Sequence, residues 1–268
     1  MMLINAMMRG GNPPAAGGGA TPHWYDDFST GDKTFTENGC GWYGSGVNTT
    51  VITGFGYGGS ANCMEFDYGA SGVDAEQRFY FDTERKEWWF DWWEYWPDGT
   101  ESPDRGEKFM RTSGSQNNKF LRLFGGTNLS EQMPRCGAEE FMQFPEVVAG
   151  DNAIELEAYE VGDTGVGVFD GAGTKAQGFT VDAVRGQWNH IRFYVKVSTT
   201  ESSADGEERL WLNGVMRAEV TGVNFFLDGN NSAGVGAGYV HGSCNTPMNP
   251  NTKLYISNWA VYITDPDA

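Results

Sequence analysis

The sequence predicts an all-β fold, an antiparallel two-sheet sandwich, and three observations predict it. Ten stretches rich in aromatic and β-branched residues recur along the chain, with turn chemistry such as Pro97-Asp98-Gly99 and Asp205-Gly206 between them. Glycine is abundant at 38 of 268 residues and aromatics reach 14%, while long runs of Ala, Leu, Lys and Glu are absent. Residues 88–96, Trp-Trp-Phe-Asp-Trp-Trp-Glu-Tyr-Trp, hold five of the ten tryptophans in nine positions. In a strand, Trp88, Phe90, Trp92, Glu94 and Trp96 line one face and Trp89, Asp91, Trp93 and Tyr95 the other. A sandwich strand needs only one apolar face. The second aromatic row therefore asks for a partner, which could be a sugar ring, a covering loop or a neighbouring chain.

In chain order, residues 1–22 are an apolar head followed by a Gly/Pro/Ala linker. Such a segment has little to bury against the entropy of ordering, so composition alone makes it a disordered tail, and the expectation is an arm that orders only when anchored on other structural subunits. A single sandwich domain is expected over 23–268. Its strands are expected at 62–68, 77–82, 87–96, 107–112, 119–124, 139–144, 153–160, 187–197, 208–220 and 253–263. No second linker of comparable length interrupts them, and no internal repeat is visible.

Composition excludes several function classes. The formal net charge of −18 repels nucleic acid and anionic membranes. No segment approaches the apolar length of a transmembrane helix, and the N-terminal residues lack the basic start and apolar stretch of a signal peptide. Arg105, Lys108, Arg111, Lys119 and Arg122 gather five of the 18 basic residues in one short segment, where an anionic polymer such as a polyuronate would bind. The four cysteines, Cys40, Cys63, Cys136 and Cys244, are widely spaced and form no CxxC pair. No metal site is expected from them, and one or two disulfides are allowed but not required. Calcium is the one cofactor the loops could take, through stretches such as Asp228-Gly229-Asn230-Asn231, although none has the ordered spacing of a calcium loop.

The second half has a recognisable order. Gly186-Gln187-Trp188-Asn189-His190 opens a strand. Arg209-Leu210-Trp211-Leu212-Asn213-Gly214 follows, and Leu254–Tyr262 closes the chain. With the aromatic strand and Gly106-Glu107-Lys108-Phe109, this resembles the concanavalin A-like lectin/glucanase superfamily, most closely its polysaccharide-lyase-type jelly rolls. The resemblance implies a jelly-roll sandwich and a groove that meets glycans.

A lyase of that type removes the proton alpha to a uronate carboxylate, which needs a His or Tyr and a cation or amide. His241, in a polar loop-like stretch, Tyr95 and Lys108 are the expected catalytic residues, with His190 a strand histidine of lesser promise. Trp88, Trp92 and Trp96, with Arg111 and Arg122, are the expected carbohydrate contacts. In a hydrolase, the resemblance of residues 155–160 to a Glu-x-Asp-x-x-Glu strand would make Glu155 nucleophile and Glu160 acid/base. An alternating strand with Ile154, Leu156 and Ala158 inward is the simpler account.

Three functions fit these features. The leading expectation is a decoration component on a virus or phage particle, held by the arm, with a cell-surface or extracellular glycan as a further partner. The second is an extracellular polysaccharide lyase or hydrolase. The third is a free carbohydrate-binding module.

Overall fold

The computed structural model describes residues 20–44, 46–58, 60–70, 74–100, 105–106, 116–125, 134–142, 152–158, 179–181, 185–200, 203–223, 234–242, 248 and 251–268. The strands are β1 (Trp24–Asp26), β2 (Thr36–Glu37), β3 (Cys40–Trp42), β4 (Thr49–Thr53), β5 (Asn62–Asp67), β6 (Gln77–Arg85), β7 (Glu87–Tyr95) and β8 (Gln116–Gly125). They continue with β9 (Pro134–Met142), β10 (Asn152–Ala158), β11 (Phe179–Val181), β12 (Trp188–Lys196), β13 (Gly206–Leu212), β14 (Val215–Val223), β15 (Val235–Val240) and β16 (Lys253–Tyr262).

Two antiparallel sheets result. The first runs β14-β13-β12-β7-β16-β5-β4, with β1 also paired to β16, and the second runs β11-β10-β9-β8-β15-β6-β3-β2. Sequence neighbours β6 and β7 sit in opposite sheets, so the chain crosses between layers as a jelly roll requires. Nine of the ten expected strands coincide with observed ones, the stretch at 208–220 being two strands joined at Asn213-Gly214. The expected strand at 107–112 lies outside the described residues. The short strands β1–β4, β11 and the Gly-rich β15 were not expected, because too few residues carry their alternation.

The interior is aromatic. Trp88, Phe90, Trp92 and Trp96 point inward from β7, and all are fully buried. Trp259 stands at the centre, with ring contacts to Trp24, Trp42, Phe79, Phe90 and Trp92. It reaches the core through a bulge. The register of β16 against β7 slips between Ser257 and Ala260, around Asn258 at φ 54°. One extra residue inverts the alternation, so Leu254, Ile256, Trp259 and Val261 all face inward. Asn38-Gly39, with both φ angles positive, forms the two-residue turn between β2 and β3 that suits the strand twist.

Asp26 ties the two sheets together and sets a pH response. Its Oδ1 accepts the Phe28 N–H at 2.7 Å and its Oδ2 the Trp42 indole N–H at 2.7 Å. Burial pushes its pKa up from 3.8 to about 6 despite those bonds. The folded state therefore holds this proton more tightly than the unfolded chain. That stabilisation is complete below about pH 3.8 and is lost as pH rises through about 6. An Asp26→Asn chain lacks this response. Comparing chemical denaturation midpoints, the wild type should lose about 1 kcal/mol relative to Asp26→Asn between pH 5 and pH 7. Parallel curves for the two proteins would refute that assignment.

Candidate functional site

A groove protein needs one sheet face open to ligand, and the two outer faces differ sharply. The outer face of the first sheet carries the second aromatic row of β7. Its partner is the chain itself. Tyr57 stacks on Trp93 at 3.4 Å, and Trp93 stacks in turn on His190 at 4.9 Å. Phe55 packs edge-on against Tyr95 and Tyr255 and tilts against Trp188. Both come from the loop between β4 and β5, which is pinned when the Tyr57 N–H donates to Ser257 Oγ and Asn258 Nδ2 donates to the Tyr57 carbonyl. Further along, Trp89, Tyr194, Ala260 and Tyr262 are covered by Ala20, Tyr25 and Trp211. The described end of the N-terminal arm thus lies on this chain's own sheet. Residues 1–19, on which the expectation of an anchoring arm rests, lie outside the described residues.

Polar groups on this face are equally engaged. Asp91 takes His190 Nε2 at 2.7 Å on one oxygen and Arg192 Nε at 3.0 Å on the other, and Arg192 also reaches Asp267 at 2.5 Å. Burial raises the phenols of Tyr25, Tyr194 and Tyr255 above their ordinary range and that of Tyr262 to about 12. Those four tyrosines stay protonated and make poor bases. This face is a packed, structural one.

The outer face of the second sheet is built differently. On β8, Leu121 and Leu123 enter the core, so Arg122 lies on the opposite face. On β15, Val240 is inward and Tyr239 outward. On β6, Phe79 and Phe81 are inward and Arg78 and Tyr80 outward. The ladder aligns Arg122 with Tyr239, and Tyr239 with Arg78, across three adjacent strands. A tyrosine therefore sits between two guanidiniums. Arg122 is only 1% exposed, whereas the Arg78 side chain is 47% exposed at the rim and pairs with Glu76.

The next row pairs Phe124 with Ala237, Ala237 with Tyr80, and Tyr80 with Gly41. Small residues thus alternate with rings. A Cβ at Gly41 would stand 3.0 Å from the Tyr80 hydroxyl, so the missing side chain makes room for that phenol. Tyr43 packs edge-on to Tyr80 at 5.1 Å, and Phe124 tilts against Tyr239 at 5.6 Å. Aromatic walls with a few converging polar groups are the usual make-up of a sugar site.

Several sequence expectations are corrected here. Trp88, Trp92 and Trp96 form the core and not a ligand platform. The Trp88 indole donates to the Val235 carbonyl at 2.9 Å, and the Trp92 indole to Glu94 at 2.9 Å. His241 does not lie in an exposed loop. It is fully buried at the end of β15, edge-on to Phe66 at 4.6 Å, with Nε2 at 3.4 Å from Glu94 Oε1. Burial pulls its pKa down to about 3, so the imidazole is neutral and shut away from substrate. Tyr95 faces outward from the first sheet, the opposite side of that sheet from His241, so the two cannot act together.

Lys108, Arg111 and Glu160 lie outside the described residues. Glu155 stands on β10 opposite Glu139, and the register from Asn152 to Ala158 carries no slip. Of the expected residues that are described, Arg122 alone joins the Tyr239 row. Arg78 and Tyr239 were missed because no motif marks either residue within its own strand. Their shared face exists only once β6, β8 and β15 pair. Cys40 and Cys63 are free, buried thiols.

No protein-family model matches the chain, and no curated protein sequence does. Solved structures do resemble it. An endo-β-1,4-glucuronan lyase from the fungus Trichoderma reesei superposes with a TM-score of 0.60 at 14% identity, over 92% of this chain and 99% of that one. The fold is a concanavalin A-like jelly roll. A laminarinase from Flavobacterium sp. UMI-01 superposes with a TM-score of 0.50 at 6% identity, over 90% of this chain and all of that one. An alginate lyase from a Chlorella virus follows at 0.48 and 14% identity, over 80% of this chain and 88% of that one. The expectation of a particle-surface decoration protein is corrected by these comparisons, because the structure matched at a TM-score of 0.60 over 92% of this chain is a polysaccharide lyase. Among the described residues no helix is long and apolar enough to cross a membrane.

Proposed function

We propose that this chain is a polysaccharide lyase that cleaves a uronate-containing polymer by β-elimination on the outer face of its second sheet. The observation that carries the reading is the aligned row of Arg122, Tyr239 and Arg78. Its support is the likeness over nearly the whole chain to a lyase acting on a β-1,4-glucuronan.

The chemistry follows from the row. The exposed Arg78 guanidinium beside the uronate carboxylate offsets its charge, which lowers the cost of forming a carbanion at the adjacent carbon C5. The Tyr239 oxygen, as phenolate, takes the C5 proton. The electron pair left behind forms the C4–C5 double bond as the C4–O4 bond breaks, and a proton returns from the phenol to the departing O4. No water is consumed, and the product carries an unsaturated uronate at its new end. The Arg78 side chain, 47% exposed in a chain of net charge −18, is the cation of this row that an anionic polymer can reach.

The test is a turnover assay of the purified chain on β-1,4-glucuronan, with alginate and a neutral β-glucan alongside. Absorbance of an unsaturated uronate should rise with the anionic polymers only. New reducing ends without that absorbance would move the case to a hydrolase and to Glu155. No product from any polymer would reject the catalytic reading.

A further inference from the structure

At one edge of the sandwich, three side chains from distant parts of the sequence converge on a single point. His23 immediately precedes β1, and its N–H donates to the Val261 carbonyl of the first sheet at 2.7 Å. Cys40 opens β3 and Asp82 stands on β6, both in the second sheet. His23 Nε2 lies 3.3 Å from Asp82 Oδ1, and Cys40 Sγ lies 3.7 Å from the same oxygen. The three ligand atoms all fall within 4.8 Å of one another.

Those separations have a metrical meaning. A tetrahedral zinc ion with bonds of about 2.0–2.3 Å holds neighbouring ligand atoms roughly 3.3–3.7 Å apart. The two measured edges already match. The surrounding backbone is shaped for the cluster: a Cβ at Gly39 would stand 2.8 Å from Asp82 Cβ, so glycine at that turn position leaves the carboxylate its place. Asn38 Nδ2 donates to the His23 carbonyl at 2.6 Å and fixes the approach of the imidazole. Arg85 occupies the other oxygen, Oδ2, at 3.0 Å and leaves Oδ1 to the cluster.

We propose that His23, Cys40 and Asp82 form a zinc site, completed by a water molecule, that staples the N-terminal strand on the first sheet to β3 and β6 on the second. An imidazole, a thiolate and a single carboxylate oxygen select zinc over calcium, which prefers six or more oxygens. No spacing pattern marks it, because the ligands come from three separate segments and include no CxxC pair. On binding, the Cys40 thiol loses its proton to solvent and a sulfur–metal bond forms. Zinc uptake therefore releases a proton and competes with protons for the thiolate. The site is separate from the Tyr239 row, and its test does not depend on catalysis.

The experiment uses the full chain stripped of metal with a chelator and titrated with Zn2+ and, separately, with Co2+. One equivalent of Co2+ should give d–d bands of tetrahedral intensity and a thiolate-to-cobalt charge-transfer band. Zn2+ should displace it and raise the melting temperature. Cys40→Ser should abolish the charge-transfer band and weaken Zn2+ binding by more than about 100-fold, while Cys63→Ser leaves both unchanged. His23→Gln, at a partly exposed position, should also weaken binding, and circular dichroism of each variant checks that it folds. A cobalt complex without the thiolate band, a Cys40→Ser chain that binds as well as wild type, or stabilisation by Ca2+ in place of Zn2+ would overturn the assignment.

Discussion

Tyr239→Phe should lower kcat/KM on β-1,4-glucuronan by at least about 100-fold, the usual contribution of a positioned acid–base group, with an unchanged melting temperature. The substitution removes one oxygen and keeps the ring, so the packing of position 239 against Phe124 survives. Neither neighbouring guanidinium is touched. A loss of turnover is then a loss of proton transfer and not of the binding surface, and substrate binding to the variant, followed by calorimetry, should be retained. Arg122 is a poorer first target. It is almost wholly buried, so its removal would leave a void in the fold as well as a missing charge. Arg78→Ala, at the exposed rim, should raise KM more than it lowers kcat. Wild-type kcat/KM in Tyr239→Phe would remove this tyrosine from the mechanism and leave the second-sheet face without its base.

The fold was legible because its determinants are local. Strands such as β7, β12 and β16 each carry enough aromatic and branched residues for their alternation to stand out. What alternation could not say is which row of β7 faces inward, since both rows are aromatic. The answer depends on Trp259, whose inward position rests on a one-residue bulge in a strand far away in sequence. Reading the Trp88 row as a ligand platform therefore chose the core face. The true covering of the other row, Phe55 and Tyr57, sits in a Gly-flanked loop with no periodic pattern to mark it. His241 misled for a related reason: its neighbours in sequence are small and polar, yet the chain at that point dives under β5 beside Phe66. A row assembled from one polar residue on each of three strands has no sequence signature at all.

The two outer faces make opposite predictions for a charge removed from each, and Asp91→Asn is the complementary experiment. Asp91 is 7% exposed and balances both His190 and Arg192. Neutralising it leaves Arg192, itself 8% exposed, with Asp267 as its remaining carboxylate. Breaking a buried pair from one side typically costs 3–5 kcal/mol. Because Asp267 persists, the lower end applies, about 3 kcal/mol, which for a domain of this size lowers the melting temperature by about 10 °C. The imidazole of His190 would lose the partner that orients it, and the Trp93 stack above would loosen with it. Turnover measured well below the melting transition should be unchanged, because none of these groups faces the Tyr239 row. Should Asp91→Asn instead abolish turnover at an unaltered melting temperature, the Asp91–His190 pair would be the acid–base machinery, and the loop bearing Tyr57 would have to open to admit substrate. Stability lost at Asp91 with activity kept, set against activity lost at Tyr239 with stability kept, assigns packing to the first sheet's outer face and chemistry to the second's.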